Sequence, residues 1–265
     1  MNSDLKKIFD LDGRVALITG ASTHGIGHSS AEMLAAYGAK AFIIARRIKQ
    51  LEEAVKGINE KYGEGTAAYF AADVSDESAC KAAVEACVKT FSRLDIMVLC
   101  AGMAGPNPKS LEEEFDTDAY RKVLGVNLDG TFFMIKYGWK ECAKNGVGSI
   151  IMTDSLAGFK ASGHAPYTAS KGAVRAWTKY FGKKLAAVNV RVNSIVPGLT
   201  ETEMVHPKGM DDVFEKYVAP GAKNIPLGRL GQPEDMAAAV LYLAGDAAGW
   251  VTGHCLVIDG GELCG

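Results

Sequence analysis

The amino-acid sequence predicts a single α/β domain built on a doubly wound sheet of seven parallel strands, with helices on both faces. Short runs of apolar and β-branched residues alternate with longer amphipathic stretches, which is the order expected of strands and covering helices. The runs are apolar throughout, as in strands buried on both faces. The chain has 265 residues, of which 48% are hydrophobic, and no linker is visible in it. Residues 1–265 are therefore expected to form one domain.

Seven runs predict the strands and six stretches predict the helices. The strands are expected at Arg14–Thr19, Ala41–Ala45, Thr66–Ala71, Ile96–Cys100, Ser149–Thr153, Arg191–Val196 and Cys255–Ile258. The helices are expected at about 26–37, 48–62, 76–91, 112–144, 166–188 and 233–245.

A glycine-rich segment, Thr19-Gly20-Ala21-Ser22-Thr23-His24-Gly25-Ile26-Gly27, joins the first strand to the first helix. Doubly wound sheets bind ligands at the carboxyl ends of their strands. Glycines allow a tight turn and close approach of the backbone, so the helix N-terminus can present free N–H groups to a pyrophosphate. A glycine-rich turn alone is weak evidence, but its position between a strand and a helix favours a nucleotide site.

Asp73-Val74 ends the third predicted strand. At that edge of the sheet, Asp73 would accept a hydrogen bond from an adenine amino group. The alternative is that Asp73 caps the next helix, a role that Ser75 could fill instead.

Tyr167 and Lys171 are four residues apart in Tyr-Thr-Ala-Ser-Lys and share a helix face. In a partly desolvated site, a fixed cation favours a phenolate, so the pair predicts a proton donor and acceptor at neutral pH. Tyr180 and Lys184 repeat the spacing on the same predicted helix. The first pair follows a loop at the helix start, where side chains can face a ligand, whereas Tyr180 lies among apolar residues and is assigned to the core or an interface.

Composition disfavours several classes of function. A formal net charge of −2 with scattered basic residues gives no electrostatic footprint for nucleic acid or an anionic membrane. The first residues lack the apolar core of a signal peptide and no apolar run could span a bilayer, so a soluble cytoplasmic protein is expected. Six cysteines fall singly and five histidines show no ligand pairing, so reduced thiols and no structural metal are expected.

Together these motifs resemble the short-chain dehydrogenases/reductases of the compact, single-domain branch, across nearly the whole chain. Thr19–Gly27 is similar to their cofactor turn, and Ser155, Tyr167 and Lys171 are similar to their catalytic residues. Asn127, in Val-Asn-Leu-Asp-Gly-Thr-Phe-Phe, matches the fourth catalytic residue. Further matches are the Pro197–Thr202 segment, which in the family holds the nicotinamide carboxamide, and the last strand, Val257-Ile258-Asp259-Gly260-Gly261.

The resemblance implies a Rossmann-type fold and a mechanism. Ser155 would hydrogen-bond the substrate oxygen, and Tyr167 would exchange a proton with it as hydride passes at the nicotinamide. Lys171 would favour the phenolate and hold the nicotinamide ribose, and Asn127 would kink its helix and position a water beside Lys171. The implied cofactor-binding residues are Gly20, Ser22, Thr23, His24, Gly25, Ile26, Arg46, Arg47, Asp73, Val74, Ala101, Gly102, Tyr167, Lys171, Pro197, Gly198, Thr200 and Thr202.

The chain departs from the family pattern in three places. Four residues separate Gly20 from Gly25 where three are usual, so either Thr23 or His24 must bulge. Ser155 lies 12 residues before Tyr167, one fewer than is common. Leu99-Cys100-Ala101-Gly102 replaces the usual Asn-Asn-Ala-Gly, which predicts a loss of side-chain hydrogen bonds and of local stability.

Charge at the end of the second strand predicts the cofactor. A carboxylate there would bind the adenosine ribose 2′-hydroxyl and repel a 2′-phosphate, whereas cations would attract the phosphate. This chain has Ala45 followed by Arg46 and Arg47, which favours NADP(H) over NAD(H). Of the two arginines, Arg46 is expected to lie closer to the phosphate, and one of them could be simple surface charge.

The segment 199–227, hereafter the flap, is expected to cover the substrate, as in the family. Ser155, Tyr167, His164 and Met204 are the predicted substrate contacts, although His164 fits a solvent-facing loop equally well. Further candidate wall residues are Met103, Ala104, Gly105, Pro106, Phe159 and Val205. An apolar pocket favours a bulky alcohol or ketone such as a hydroxysteroid; the alternatives are a 3-oxoacyl carrier-protein substrate and a sugar alcohol.

Two further expectations follow from the resemblance. A different class of function, a non-catalytic NADP(H)-binding sensor, is disfavoured by the intact Ser155, Tyr167 and Lys171. A homo-oligomer, dimer or tetramer, would pair the helices predicted at 112–144 and 166–188. Apolar residues on these helices fit either that interface or the core: Phe132, Trp139, Trp177 and Phe181.

Overall fold

The computed structural model of the protein describes residues 7–105, 110–160, 164–206 and 209–264. Within these residues seven strands form one parallel sheet in the order β3-β2-β1-β4-β5-β6-β7. The strands are β1 Val15–Thr19, β2 Lys40–Ala45, β3 Ala67–Ala71, β4 Ile96–Leu99, β5 Gly148–Thr153, β6 Val190–Pro197 and β7 Cys255–Ile258. The predicted fold class is confirmed, and every predicted strand agrees to within one residue at each end.

Helices cover both faces of the sheet. They are α1 Ile26–Ala36, α2 Ile48–Tyr62, α3 Glu77–Phe91, α4 Leu111–Glu114, α5 Thr117–Leu124, α6 Gly130–Lys144, α7 Ala165–Leu185, α8 Asp211–Val213 and α9 Pro233–Ala244. One face packs against α1, α2 and α9 through residues such as Leu34, Leu51 and Val240. The other packs against α3, α6 and α7 through residues such as Val84 and Met134. No helix in the described ranges has both the length and the apolar character needed to cross a membrane.

The single helix predicted over 112–144 is wrong, because the segment divides into α4, α5 and α6. The side chain of Asp116 accepts hydrogen bonds from the N–H groups of Asp118 and Ala119 and so caps a new helix, α5. A π-helical turn, Gly125–Asp129, then joins α5 to α6 and contains Asn127. Turns of this kind are frequent at functional sites, and here it is the kink that the resemblance implied.

The flap carries its own small core. Within its described residues, α8 is followed by a π-helical turn, Phe214–Val218, and a 3-10 segment, Ala219–Asn224. Phe214 and Ile225 are buried and pack with Leu230, which follows the flap. The flap is therefore a folded part of the domain. It lies over the carboxyl ends of the strands.

The strand order determines where a ligand can enter. From β1 the chain winds outward through β2 and β3, then returns to the other side of β1 at β4. The loops after β1 and β4 consequently diverge and leave a crevice between them. Residues from both loops line a cavity with a volume of about 850 Å³.

Candidate active site

The cavity brings together nearly all the residues predicted from sequence. All the residues that the resemblance implied for cofactor binding line it, from Gly20 after β1 to Thr202 in the flap. Ser155 and Met204 also line it. Asn127 and His164 do not belong to its lining.

The glycine-rich turn brings the backbone close to the cavity. Gly20 has φ +71°, and a Cβ there would lie 2.9 Å from Ala101 Cα in the loop after β4. A Cβ on Gly27 would lie 2.5 Å from the carbonyl oxygen of Gly20. Gly25, the N-cap of α1, has no side chain to accept the first N–H groups of that helix. The turn therefore fits a pyrophosphate group.

The additional residue of the turn leaves His24 exposed to solvent and Thr23 half-buried. The Thr23 hydroxyl accepts a hydrogen bond from Arg47 at 3.1 Å. His24 is thus the residue that protrudes, while Thr23 connects the turn to the end of β2.

The two arginines after β2 differ in their surroundings. Arg46 has a side chain 68% exposed, and its nearest ion-pair distance, to Asp73, is 3.8 Å. Arg47 is bound by the flap residue Glu203 at 3.0 Å. Both line the cavity, so either can meet a ligand there, but only Arg47 has a close carboxylate partner.

Asp73 forms a turn rather than a helix cap. Its Oδ1 accepts from the Ser75 N–H at 3.0 Å and from the Ser75 hydroxyl at 2.7 Å. Although burial acts in the opposite direction, these bonds and the charge of Arg46 lower the pKa of Asp73. The cap of α3 is Asp76, so the alternative, in which Asp73 or Ser75 caps this helix, does not hold.

Tyr167 and Lys171 lie in the first two turns of α7, which begins at Ala165 with Pro166 in its first turn. The Lys171 side chain is buried, and its Nζ donates to the Thr153 carbonyl at the end of β5, at 2.7 Å. The same Nζ lies 5.6 Å from the centre of the Tyr167 ring. Strand β5 therefore fixes the cation beside the phenol.

Ser155 follows β5 and caps a 3-10 turn, Leu156–Gly158, by accepting from the Ala157 N–H at 3.2 Å. Its hydroxyl hydrogen can still be donated to a ligand. A Cβ on Gly158 would lie 3.1 Å from the backbone of Lys171, so this glycine lets the turn pack directly on α7. That contact sets the spacing between Ser155 and the tyrosine–lysine pair.

Asn127 acts from behind the cavity. Its Oδ1 accepts from the Met103 N–H at 2.8 Å, and its Nδ2 donates to the Met103 carbonyl at 3.0 Å and to the Ser170 hydroxyl at 3.1 Å. Asn127 thereby ties the loop after β4 to α7. The Asn127 carbonyl accepts from the Thr131 hydroxyl at 2.8 Å.

The loop after β4 retains hydrogen bonds despite its unusual sequence. The Ala101 N–H donates to the Thr19 hydroxyl at 3.0 Å, and the Thr153 hydroxyl lies 3.2 Å from Cys100 Sγ. Burial raises the pKa of Cys100 to about 11, so this thiol stays protonated at neutral pH. Bonds from Thr19 and Thr153 thus offset the predicted loss of side-chain hydrogen bonds.

Asp154 was not anticipated from the sequence. It is 1% exposed, its Oδ1 accepts from the Ser155 N–H at 2.8 Å, and its Oδ2 is buried without a partner among the described residues. Burial raises the pKa of Asp154 to about 6, against the opposing effects of the Ser155 bond and the charges of Lys171 and Arg175. The sequence did contain a signal for a functional role of Asp154: it is a carboxylate directly after an apolar strand, at the edge where sheets of this kind bind ligands.

The cavity also has apolar walls. Met103, Leu156, Leu199, Met204 and Val205 line it. An ion pair between Lys160 and Glu262, which the sequence did not predict, also borders it.

Two predicted wall residues lie elsewhere. His164 is hydrogen-bonded through Nε2 to the Ala104 carbonyl and packs against Gly105, so its predicted role as a substrate contact is not supported. The Phe159 ring lies 4.6 Å from the Arg175 guanidinium, outside the cavity lining. Pro106 lies outside the described residues.

Comparisons with known proteins agree with this architecture. Residues 20–262 match the family model described as Enoyl-(Acyl carrier protein) reductase. The galactitol 2-dehydrogenase (L-tagatose-forming) of Cereibacter sphaeroides is 34% identical over 264 residues, which are 97% of this chain and 98% of that protein. A short-chain type dehydrogenase/reductase from Mycobacterium marinum superposes with a TM-score of 0.89 at 32% identity, covering 98% of this chain and 99% of that one. The gluconate 5-dehydrogenase from Burkholderia cenocepacia J2315, solved with NADP and tartrate, has a TM-score of 0.87 at 31% identity and covers 98% of each chain.

Proposed function

The chain belongs to the short-chain dehydrogenase/reductase family, and from that membership we propose that it is an NADP(H)-dependent oxidoreductase that interconverts a secondary alcohol and a ketone. The observation that carries the proposal is that Ser155, Tyr167 and Lys171 line the same cavity as the glycine-rich turn. Proton-transfer groups and a pyrophosphate site thus share one space.

The chemistry assigned to the side chains follows from their contacts. Tyr167 gives a proton to the carbonyl oxygen in reduction and takes it from the hydroxyl in oxidation. Lys171 holds a positive charge beside the phenol. Ser155 donates its hydroxyl hydrogen to the substrate oxygen and so orients the reacting carbon. When bound, the nicotinamide dinucleotide supplies or accepts the hydride.

Asn127 has a positioning role in this proposal. By bonding both backbone groups of Met103 and the Ser170 hydroxyl, it holds the loop after β4 against the helix that carries Tyr167 and Lys171. The second lone pair of its carbonyl oxygen, beside the bond from Thr131, is where a water that serves Lys171 would bind.

The NADP(H) assignment is supported by charge at the adenosine end of the cavity. Arg46 and Arg47 line it, and the β2 strand end carries no carboxylate. Arg46→Ala should weaken NADPH binding about ten-fold and leave NADH binding unchanged, because one charge-assisted contact is lost. Fluorescence titration of both cofactors measures this, and an unchanged NADPH affinity would sink the assignment.

For the substrate, the apolar walls of the cavity support a bulky apolar alcohol or ketone, of which a hydroxysteroid is the proposed case. A sugar alcohol is the second candidate. It is supported by the 34% identity to a galactitol 2-dehydrogenase and by the Lys160–Glu262 pair, which offers polar groups at the cavity border. A 3-oxoacyl thioester is the third class to test.

The deciding experiment follows absorbance at 340 nm with steroid alcohols, sugar alcohols and 3-oxoacyl thioesters, each with NADP(H) and NAD(H). Turnover confined to steroid substrates supports the first candidate, and turnover confined to sugar alcohols replaces it with the second. Protein that binds NADPH but turns over none of them would point to an untested substrate or to the non-catalytic sensor.

We further propose a homo-oligomer formed through α6 and α7. Phe132 and Trp177 have ring centres 5.8 Å apart, Trp177 and Phe181 5.9 Å, and Tyr180 and Phe181 5.4 Å. Phe132 is 40% exposed and Tyr180 57% exposed, so an aromatic surface joins the two helices. Light scattering on wild-type protein and on Phe132→Glu tests this, because a charge in the interface should yield smaller particles.

A further inference from the structure

The flap residue Glu203 holds the guanidinium of Arg47 with both carboxylate oxygens. The Nη1–Oε1 distance is 3.4 Å and the Nη2–Oε2 distance is 3.0 Å. Nη2 also donates to the Thr23 hydroxyl at 3.1 Å. The cavity described above is lined by Arg47, Glu203 and Thr23, so these three residues lie within the proposed nucleotide site.

The backbone joins the same two segments. The Glu203 N–H points to the His24 carbonyl at 3.4 Å, and a Cβ on Gly25 would lie 3.8 Å from the Thr202 side chain. The base of the flap therefore rests directly on the glycine-rich turn. The additional residue of that turn contributes to this contact, because Thr23 is the part of the turn that reaches Arg47.

A carboxylate and a phosphate compete for one guanidinium, because both bind its planar N–H groups in the same way. The pair can be displaced, since the Arg47 side chain is 49% exposed and that of Glu203 is 30% exposed. Arg46 is held less closely than Arg47. Its side chain is 68% exposed, and its distance to Asp73 is 3.8 Å.

We propose that Glu203 sets the selectivity for a 2′-phosphate by occupying Arg47, and that a 2′-phosphorylated adenosine displaces it and detaches the base of the flap from the glycine-rich turn. This inference deepens the proposed NADP(H) site and rests on it. Binding of the 2′-phosphorylated adenosine is thereby coupled to the flap, which is the segment expected to cover the substrate. Glu203 is a specificity-determining residue supplied by the flap, 156 positions away from Arg47.

The test uses adenosine 2′,5′-bisphosphate and 5′-AMP as probes, because they differ only in the 2′-phosphate. Calorimetric titration should show that Glu203→Gln binds the bisphosphate about three-fold more tightly than wild type, because a charged competitor becomes a neutral one. Its affinity for 5′-AMP should not change. Glu203→Ala should give the same direction and guards against a new bond formed by the glutamine.

Glu201→Gln is the matched control, since Glu201 also lies at the base of the flap but contacts Gln232 and His206 rather than Arg47. Its affinities for both probes should equal those of wild type. If both Glu203 variants bind the bisphosphate as wild type does, or more weakly, then Glu203 does not compete for Arg47 and the inference is overturned.

Hydrogen–deuterium exchange gives a readout that does not depend on turnover. In wild type, amide exchange across residues 201–206 should rise with the bisphosphate and not with 5′-AMP, and in Glu203→Gln it should already be high without ligand. A fall in exchange specific to the bisphosphate in wild type would overturn the release of the flap.

Failure of the NADP(H) proposal and failure of the role of Glu203 would give different results. If wild type binds 5′-AMP as tightly as the bisphosphate, the NADP(H) proposal itself fails and the inference fails with it. If wild type prefers the bisphosphate but the Glu203 variants do not alter that preference, the NADP(H) proposal stands and only the role of Glu203 is wrong.

Discussion

Lys184 Nζ lies 5.8 Å from the centre of the Tyr180 ring, almost the same distance as Lys171 Nζ from the Tyr167 ring, 5.6 Å. The two pairs differ only in their surroundings. Lys171 is buried and held by the end of β5, whereas Tyr180 is 57% exposed on the outer side of α7. Tyr180 is therefore not a core residue, which corrects one of the two alternatives given for it.

These paired geometries allow a controlled test of catalysis. Tyr167→Phe should lower kcat by at least about 100-fold, because it removes the proton that passes to the substrate oxygen. NADPH affinity should remain within about two-fold, since most cofactor contacts are unaffected. Tyr180→Phe, which removes the same atom from a pair of the same spacing, should leave both quantities unchanged. Equal kcat losses in the two variants would refute the assignment of Tyr167.

Asp154 makes stability depend on pH. Its folded-state pKa of about 6 exceeds the ordinary value of about 3.9, so the folded protein binds a proton more tightly than the unfolded chain. Stability from this group therefore falls as pH rises from about 4 to about 6, and the full penalty persists above that range.

Asp154→Asn keeps an acceptor for the Ser155 N–H but removes the titration. The variant should be more stable than wild type by on the order of 1–3 kcal/mol at pH 8, with a smaller difference at pH 5. Urea unfolding at both pH values measures the change. A gain of the same size at both would mean that ionisation of Asp154 does not cause it.

His206 gives the flap a pH dependence of the same sign, over a higher range of pH. Its Nε2 lies 2.8 Å from Asp211 and its Nδ1 3.3 Å from Glu201, and the ring stacks on Phe214 at 3.9 Å. Mainly through the bond with Asp211, the pKa of His206 is raised. The stabilisation is thus fully present below the unfolded value of about 6.5 and is lost as pH rises through the higher folded value.

Tryptic cleavage of the flap, for example at the exposed Lys223, should therefore accelerate between pH 6 and pH 8.5 more than cleavage of a reference peptide does. His206→Gln should be cleaved faster than wild type at pH 6 and at a similar rate at pH 8.5. Parallel pH profiles for the two proteins would assign the flap's stability to its apolar core alone.

Gly27→Ala should destabilise the protein by about 1–3 kcal/mol and impair cofactor binding, because the new methyl group would overlap the Gly20 carbonyl and displace the turn. Gly57→Ala is the control, since Gly57 lies in α2 with open space around its Cβ position. That substitution should stabilise the protein by about 0.5–1 kcal/mol. Thermal unfolding with and without NADPH compares them, and a Gly27→Ala protein as stable as wild type would contradict the close-packed turn.

The sheet and the glycine-rich turn after β1 could be predicted because their signals are local. Strands buried on both faces read as apolar runs, and the glycines of the turn are adjacent in sequence. The division of 112–144 was missed because one aspartate, Asp116, caps a helix that amphipathic pattern alone would continue. Asp154 carried a local signal, but Glu203 did not, since its partner Arg47 is distant in sequence and only the fold joins them.

Glu203 is followed at once by Met204 and Val205, which line the apolar part of the cavity. A substitution or insertion that reshapes those two walls would also move the carboxylate beside Arg47. In the divergence of related enzymes, a change of substrate at this segment would therefore carry a change of coenzyme preference with it, and the two traits would be inherited together rather than selected one at a time.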